Sequence, residues 1–165
     1  MDNPIFTTAT AAAASRVPAN TIKAWLGRAK GTDVMSMLSP DHVEPETPGL
    51  RRDAARLFTR RGVYRFAVLG VLSRFGMSPT EALPHAMKVC DLSLTGRTET
   101  CRFPHGETYL IVTDDGRSSV VNFNAETTVD EVLHPVLPGV AADAMMVIDI
   151  GLLLDRVDWI LDSRK

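Results

Sequence analysis

Catalysis would need a carboxylate pair, a histidine beside a nucleophile, or a metal-ligating cluster at short spacing. Asp114-Asp115 is a carboxylate pair, but it precedes Gly116 in a hairpin sequence, where turn geometry favours aspartate. Asp155 and Asp158 read as the exposed side of a terminal helix. His85, His105 and His134 are scattered, with no serine or cysteine near them in a nucleophile motif. Ten residues separate Cys90 from Cys101, which is not the close pairing of a zinc knuckle, and no histidine pair has helical spacing. No glycine-rich phosphate loop occurs. The expectation is a protein without catalysis, metal or cofactor, its two cysteines held as thiols in a reducing compartment.

Neutralising phosphate is a chemistry for which the chain is better supplied. Arg51, Arg52, Arg56, Arg60, Arg61 and Arg65 fall in one short stretch, and all are arginine, whose planar fork suits bidentate contact with phosphate. Residues 1–90 hold 12 Lys/Arg against 7 Asp/Glu, a balance of +5. Residues 91–165 hold 6 against 13, a balance of −7 that the overall −2 conceals. Charge asymmetry between halves points to nucleic-acid contact by the basic half. Taken alone, the arginine run fits a solvated helix face equally well.

Elements must position these groups. "TTATAAAAS" has high helix propensity and a threonine for an N-cap. Pro18 sets the start of a second helix, in which Ile22, Trp25 and Leu26 form one apolar face and Asn20, Lys23 and Gly27 point away from it. Residues 31–49 read as a loop. A helix resumes near Thr59 with Val63, Phe66, Ala67 and Gly70-Val71 as its stripe and ends at Gly76. "SPTE" at 78–81 then opens a further helix with a capping box.

The turn-rich stretch 92–107 marks an expected boundary between a domain of residues 1–91 and one of residues 92–165. Beyond it, "TYLIVTDDGRSSVVNF" reads as a hairpin and "TVDE" at 128–131 as a capped helix start. "AMMVIDI" reads as a buried strand, and "LLLDRVDWILDS" as an amphipathic helix with Leu153, Val157, Ile160 and Leu161 on one side. The order β-β-α-β-α predicts a small α+β domain. The apolar stretch 144–154 is too short to span a bilayer and contains Asp149. The opening "MDNPIFTTAT" lacks a secretory pattern, so the expected location is the cytoplasm, with no membrane partner.

Two blocks of the basic half resemble MerR-type winged helix-turn-helix regulators. The first comprises Phe6-Thr7, Ala11-Ala12, Val17 and Thr21-Ile22-Lys23-Ala24-Trp25. The second comprises Arg56-Leu57-Phe58, Thr59, Val63-Tyr64 and the turn at 76–79. The resemblance covers about residues 5–88 and implies an N-terminal all-α winged helix-turn-helix domain ahead of the α+β unit. The second helix would then be the recognition helix, its N-terminal part facing base edges in the major groove. Ala19 would meet a thymine methyl, Asn20 an adenine, and Lys23 a guanine or a phosphate, with Thr21 and Arg28 on the same helix. Arg51, Arg52 and Arg56 would lie on the wing, with Arg60, Arg61 and Tyr64 gripping backbone near the following helix start. Arg74 reads as a surface residue. Arg16 stands where the family often has glycine. The family's long dimerisation helix has no counterpart after residue 91, so its effector site does not carry over.

The resulting expectation is a sequence-specific transcriptional regulator of bacterial or prophage type. It would be a homodimeric repressor on double-stranded DNA, with the acidic half supplying a dimer interface, a small-molecule effector pocket or a protein contact. Two alternatives use the same basic face. One is an architectural accessory of recombination or DNA packaging. The other is a protein-binding module that docks an acidic partner, its own second half among the candidates.

Overall fold

Helices in this chain begin where the sequence supplies a hydrogen-bonding cap. The computed structural model describes residues 5–28, 42–43, 57–90, 97–128, 131 and 144–163. Thr7 accepts a hydrogen bond from the amide of Thr10 and opens α1 (Thr8–Ser15). Thr59 accepts from Gly62 at 3.0 Å and opens α3 (Arg60–Arg74). The Ser78 and Glu81 side chains satisfy each other's amides at 3.3 and 2.9 Å, the expected capping box, and open α4 (Pro79–Cys90). Between α1 and α3 lies α2 (Ala19–Arg28), whose Thr21 and Ile22 amides donate to the Pro18 carbonyl. α3 stops in a Schellman arrangement: Gly76, at φ 96°, donates to Ser73, and Met77 donates to Leu72.

The basic half is not all-α, contrary to the sequence expectation. Strands β1 (Phe6–Thr7), β2 (His42–Val43) and β3 (Leu57–Phe58) form a small antiparallel sheet in the order β1-β3-β2. Phe6 pairs with Phe58, and Phe58 with His42 on its other side. Two-residue strands leave no alternation to detect in a sequence. The pairing of β1 with β3 joins segments some fifty residues apart, so only tertiary structure reveals it. The whole is a mixed α/β architecture, and the all-α assignment is corrected accordingly.

In the acidic half, β4 (Glu107–Thr113), β5 (Ser118–Phe123) and β6 (Met145–Asp149) form a second antiparallel sheet, ordered β5-β4-β6. The hairpin turns at Asp115-Gly116 as expected. β6 is an edge strand that buries only Ile148 well, so the buried strand read from its composition is corrected. Asp149 ends β6 and caps α5 (Ile150–Asp162) by accepting from Leu152 at 2.8 Å, so strand passes directly into helix. Thr128 and Glu131 form their expected capping box, but the helix beyond it lies outside the described residues.

One apolar core runs through both halves. α5 turns Ile150, Leu153, Leu154, Val157 and Leu161 inward and packs on α1, α3 and β4. These side chains share a cluster with Ala11, Ala14, Ile22, Phe66, Leu69 and Leu72. α4 meets β5, where His85 shares a 2.7 Å hydrogen bond with Ser118 and Lys88 donates to the Ser118 carbonyl. Among the described residues no helix is long and apolar enough to cross a membrane.

Candidate nucleic-acid interface

The local sequence of α1 explains why the chain reverses before α2. Alanines at 11 and 14 let the helix approach its neighbours closely, and both are fully buried. Ser15 turns its hydroxyl back to the Ala11 carbonyl at 2.7 Å and accepts from the Val17 amide at 3.3 Å. Between them Arg16 adopts the left-handed conformation, φ 56° and ψ 30°, ending the helix where glycine would be easiest. Val17 then drops into the core against α3. A Cβ at Gly70 would stand only 2.5 Å from Val17 Cγ2, so the bare glycine permits this approach.

α2 is held by one face. Ile22, Trp25 and Leu26 are buried, and the Trp25 ring stacks on Phe66 at 6.4 Å between centroids. Phe66 in turn meets Phe58 of β3 edge-on at 5.3 Å. The opposite face carries Asn20, Lys23 and Ala24, all exposed, flanked by half-buried Ala19 and Thr21. A short polar side chain and an ammonium group on the first turns of an anchored helix can reach base edges and phosphates.

The remaining expected contacts are placed otherwise. Arg51, Arg52 and Arg56 lie outside the described residues, and so does the side chain of Arg28. Arg60 bonds Asp158, and it also donates to Asp162 at 2.6 Å. Burial works against its charge, yet the bonds to Asp162 and Asp158 prevail and raise its pKa above the ordinary range. Tyr64 is 1% exposed and donates to Asp158 at 2.5 Å. Burial and that bond push its phenol pKa well up. Arg61 is half-buried, and its carbonyl faces the Cys90 thiol. Arg60 and Tyr64 are therefore turned toward α5, and their assignment to duplex backbone is corrected: the acids of the second half already occupy them.

Asp158 is the centre of this arrangement. It also accepts from Arg102 at 2.9 Å, and Arg102 reaches Asp155 at 3.0 Å. Three donors, two from α3 and one from the segment before β4, thus converge on one carboxylate, and the reading of Asp158 as a solvent-facing residue does not hold. Helical periodicity placed it opposite the apolar stripe, but could not reveal a partner 98 positions away.

A second basic group was not foreseen. Arg16, Thr21, Ser73 and Arg74 line a cleft of about 310 Å³ beside α2, with Val17, Pro18, Trp25 and Gly70 as its apolar part. Its only sequence signal was an arginine at a turn position suited to glycine. Cys90 and Cys101 are buried free thiols. Its contact with Cys101, and then burial, hold the Cys90 thiol well above its ordinary pKa. No known family model matches the chain, and no curated protein matches it.

Proposed function

We propose that the chain is a sequence-specific DNA-binding regulator that presents α2 to the major groove. The observation that carries this reading is the α1–turn–α2 unit. A left-handed residue separates two helices, and the second is anchored by Ile22, Trp25 and Leu26 while Asn20 and Lys23 stand clear. Support comes from the order β1-α1-α2-β2-β3-α3-α4, in which short strands follow the two helices and β3 feeds α3, as the MerR resemblance implies for a wing. A homodimer on a palindrome accords with the reading, because a single reading helix contacts few bases. Repression in the cytoplasm, without catalysis or a cofactor, completes the proposal.

Selection of bound duplexes from a random pool by the full-length protein tests it. Enrichment of a partly palindromic motif is expected, with half-sites about one helical turn apart. Asn20→Ala should cost ~1–3 kcal/mol at one base position and relax preference there. Arg56→Ala, at a position the MerR resemblance assigns to the wing, should weaken binding to every sequence and shallow the salt dependence by about one unit of slope. Retention of DNA without any motif would replace this reading with an architectural one.

A further inference from the structure

The cleft beside α2 draws its charges from separate parts of the fold. Arg16 comes from the α1–α2 turn and Arg74 from the last turn of α3, and both are exposed. Arg156 does not line the cleft itself, but its helix α5 packs on both α1 and α3. It lies within electrostatic reach of both arginines: burial first, then the charges of Arg16 and Arg74, lower its pKa. None of the three forms an ion pair among the described residues, whereas Arg60, Arg102 and Arg117 all do. The Arg156 Nε and Nη2 atoms and the Ser73 Oγ atom are buried and find no hydrogen-bond partner among the described residues. Like charges held together repel, and buried donors without acceptors are unfavourable. An anion with several oxygens relieves both.

We propose that Arg16, Arg74 and Arg156, with Ser73, form a binding site for one phosphate group. A single carboxylate offers one charge and two oxygens to three guanidinium forks, while a phosphate offers up to two charges and a tetrahedral set of acceptors. Two sources supply that chemistry. Thr21 lines the cleft, next to exposed Asn20, so a duplex backbone phosphate beside the recognition helix is one source. A small phosphorylated molecule or free phosphate is the other. The first source rests on the DNA reading above, and the second does not.

The test uses the full-length protein and three variants that preserve the local backbone or packing. Arg16→Asn keeps a residue tolerant of the left-handed conformation, and Arg74→Met and Arg156→Met keep the apolar stems. Thermal melting in chloride is measured first. Loss of a repelling charge should leave the midpoint unchanged or raised, and a lowered midpoint in all three variants would mean a structural role and overturn the proposal. Melting with inorganic phosphate against chloride at equal ionic strength then reads the free ligand. Phosphate should raise the wild-type midpoint more than that of any variant.

Duplex binding as a function of salt reads the backbone source. There each variant should shallow the slope of log K against log salt by up to about one unit while leaving motif preference intact. A response to inorganic phosphate without DNA binding would keep the site and end the DNA reading. DNA binding with base preference at Asn20, unchanged slopes and no phosphate response would overturn the site and leave the DNA reading standing.

Discussion

The two ends of α3 carry arginines in opposite circumstances. At its start, Arg60 and the neighbouring Tyr64 are matched by Asp158 and Asp162 of α5. At its end, Arg74 joins Arg16 and Arg156 in a group with no acid paired to it among the described residues. The same terminal helix supplies the acids at one end and a further arginine at the other. A run of arginines in a sequence therefore does not locate a phosphate contact. What locates it is which guanidinium groups the folded chain leaves without a carboxylate.

The matched end should be the costly one to disturb. Asp158→Ala removes the acceptor of Tyr64 and one acceptor each of Arg60 and Arg102. A loss of about 2–4 kcal/mol is expected in urea unfolding. Asp158→Asn, which keeps an acceptor for the phenol, should recover part of it; equal losses would mean that charge rather than hydrogen bonding holds the halves together. At the other end, Gly70→Ala forces Val17 away from α3 and should cost about 1–3 kcal/mol. Adding Val17→Ala makes room for the methyl, so the double variant should show less than the sum of the two single losses.

A smaller effect separates the ends directly. Arg60→Ala should lower stability by about 1 kcal/mol, because Asp158 retains other donors, and should leave the salt slope of DNA binding unchanged. A shallower slope would show that Arg60 reaches phosphate and would erase the contrast. The smallest effect concerns His85, which lies away from both ends. Burial first, then Lys88, lowers its pKa below the ordinary value of 6.5. The folded state thus binds this proton less readily than the unfolded chain, and stability is highest with the ring neutral. It should decline as pH falls through the unfolded value toward the folded one. His85→Gln should flatten that part of the stability profile, and an unchanged profile would assign the acid sensitivity elsewhere.

Local chemistry was legible from the residues alone. The capping boxes at 78–81 and 128–131, the Asp115-Gly116 turn and the apolar faces of α2 and α5 each depend on side chains a few positions apart. Non-local structure was not. β1, β2 and β3 contain two residues each, too few to show a period, and they exist only because distant segments meet. The candidate site divides in the same way. The exposure of Asn20 and Lys23 followed from helical spacing beside a buried tryptophan. Arg60 and Tyr64 were misread because Asp158 is remote in sequence, and Arg156 was overlooked because it sits in the acidic half.

The packing of α5 on α1 and α3 also imposes an order on synthesis. The ribosome makes α1, α2 and α3 well before α5, by on the order of ten seconds at about 5–20 residues per second. Until then the apolar surface that Leu154, Val157 and Leu161 will cover is bare, and Arg60 and Tyr64 lack their acids. A nascent chain that already displays Asn20 and Lys23 therefore meets the cell with its α1–turn–α2 unit unbraced, and a message cut short before α5 would yield an incomplete fold rather than a smaller stable protein.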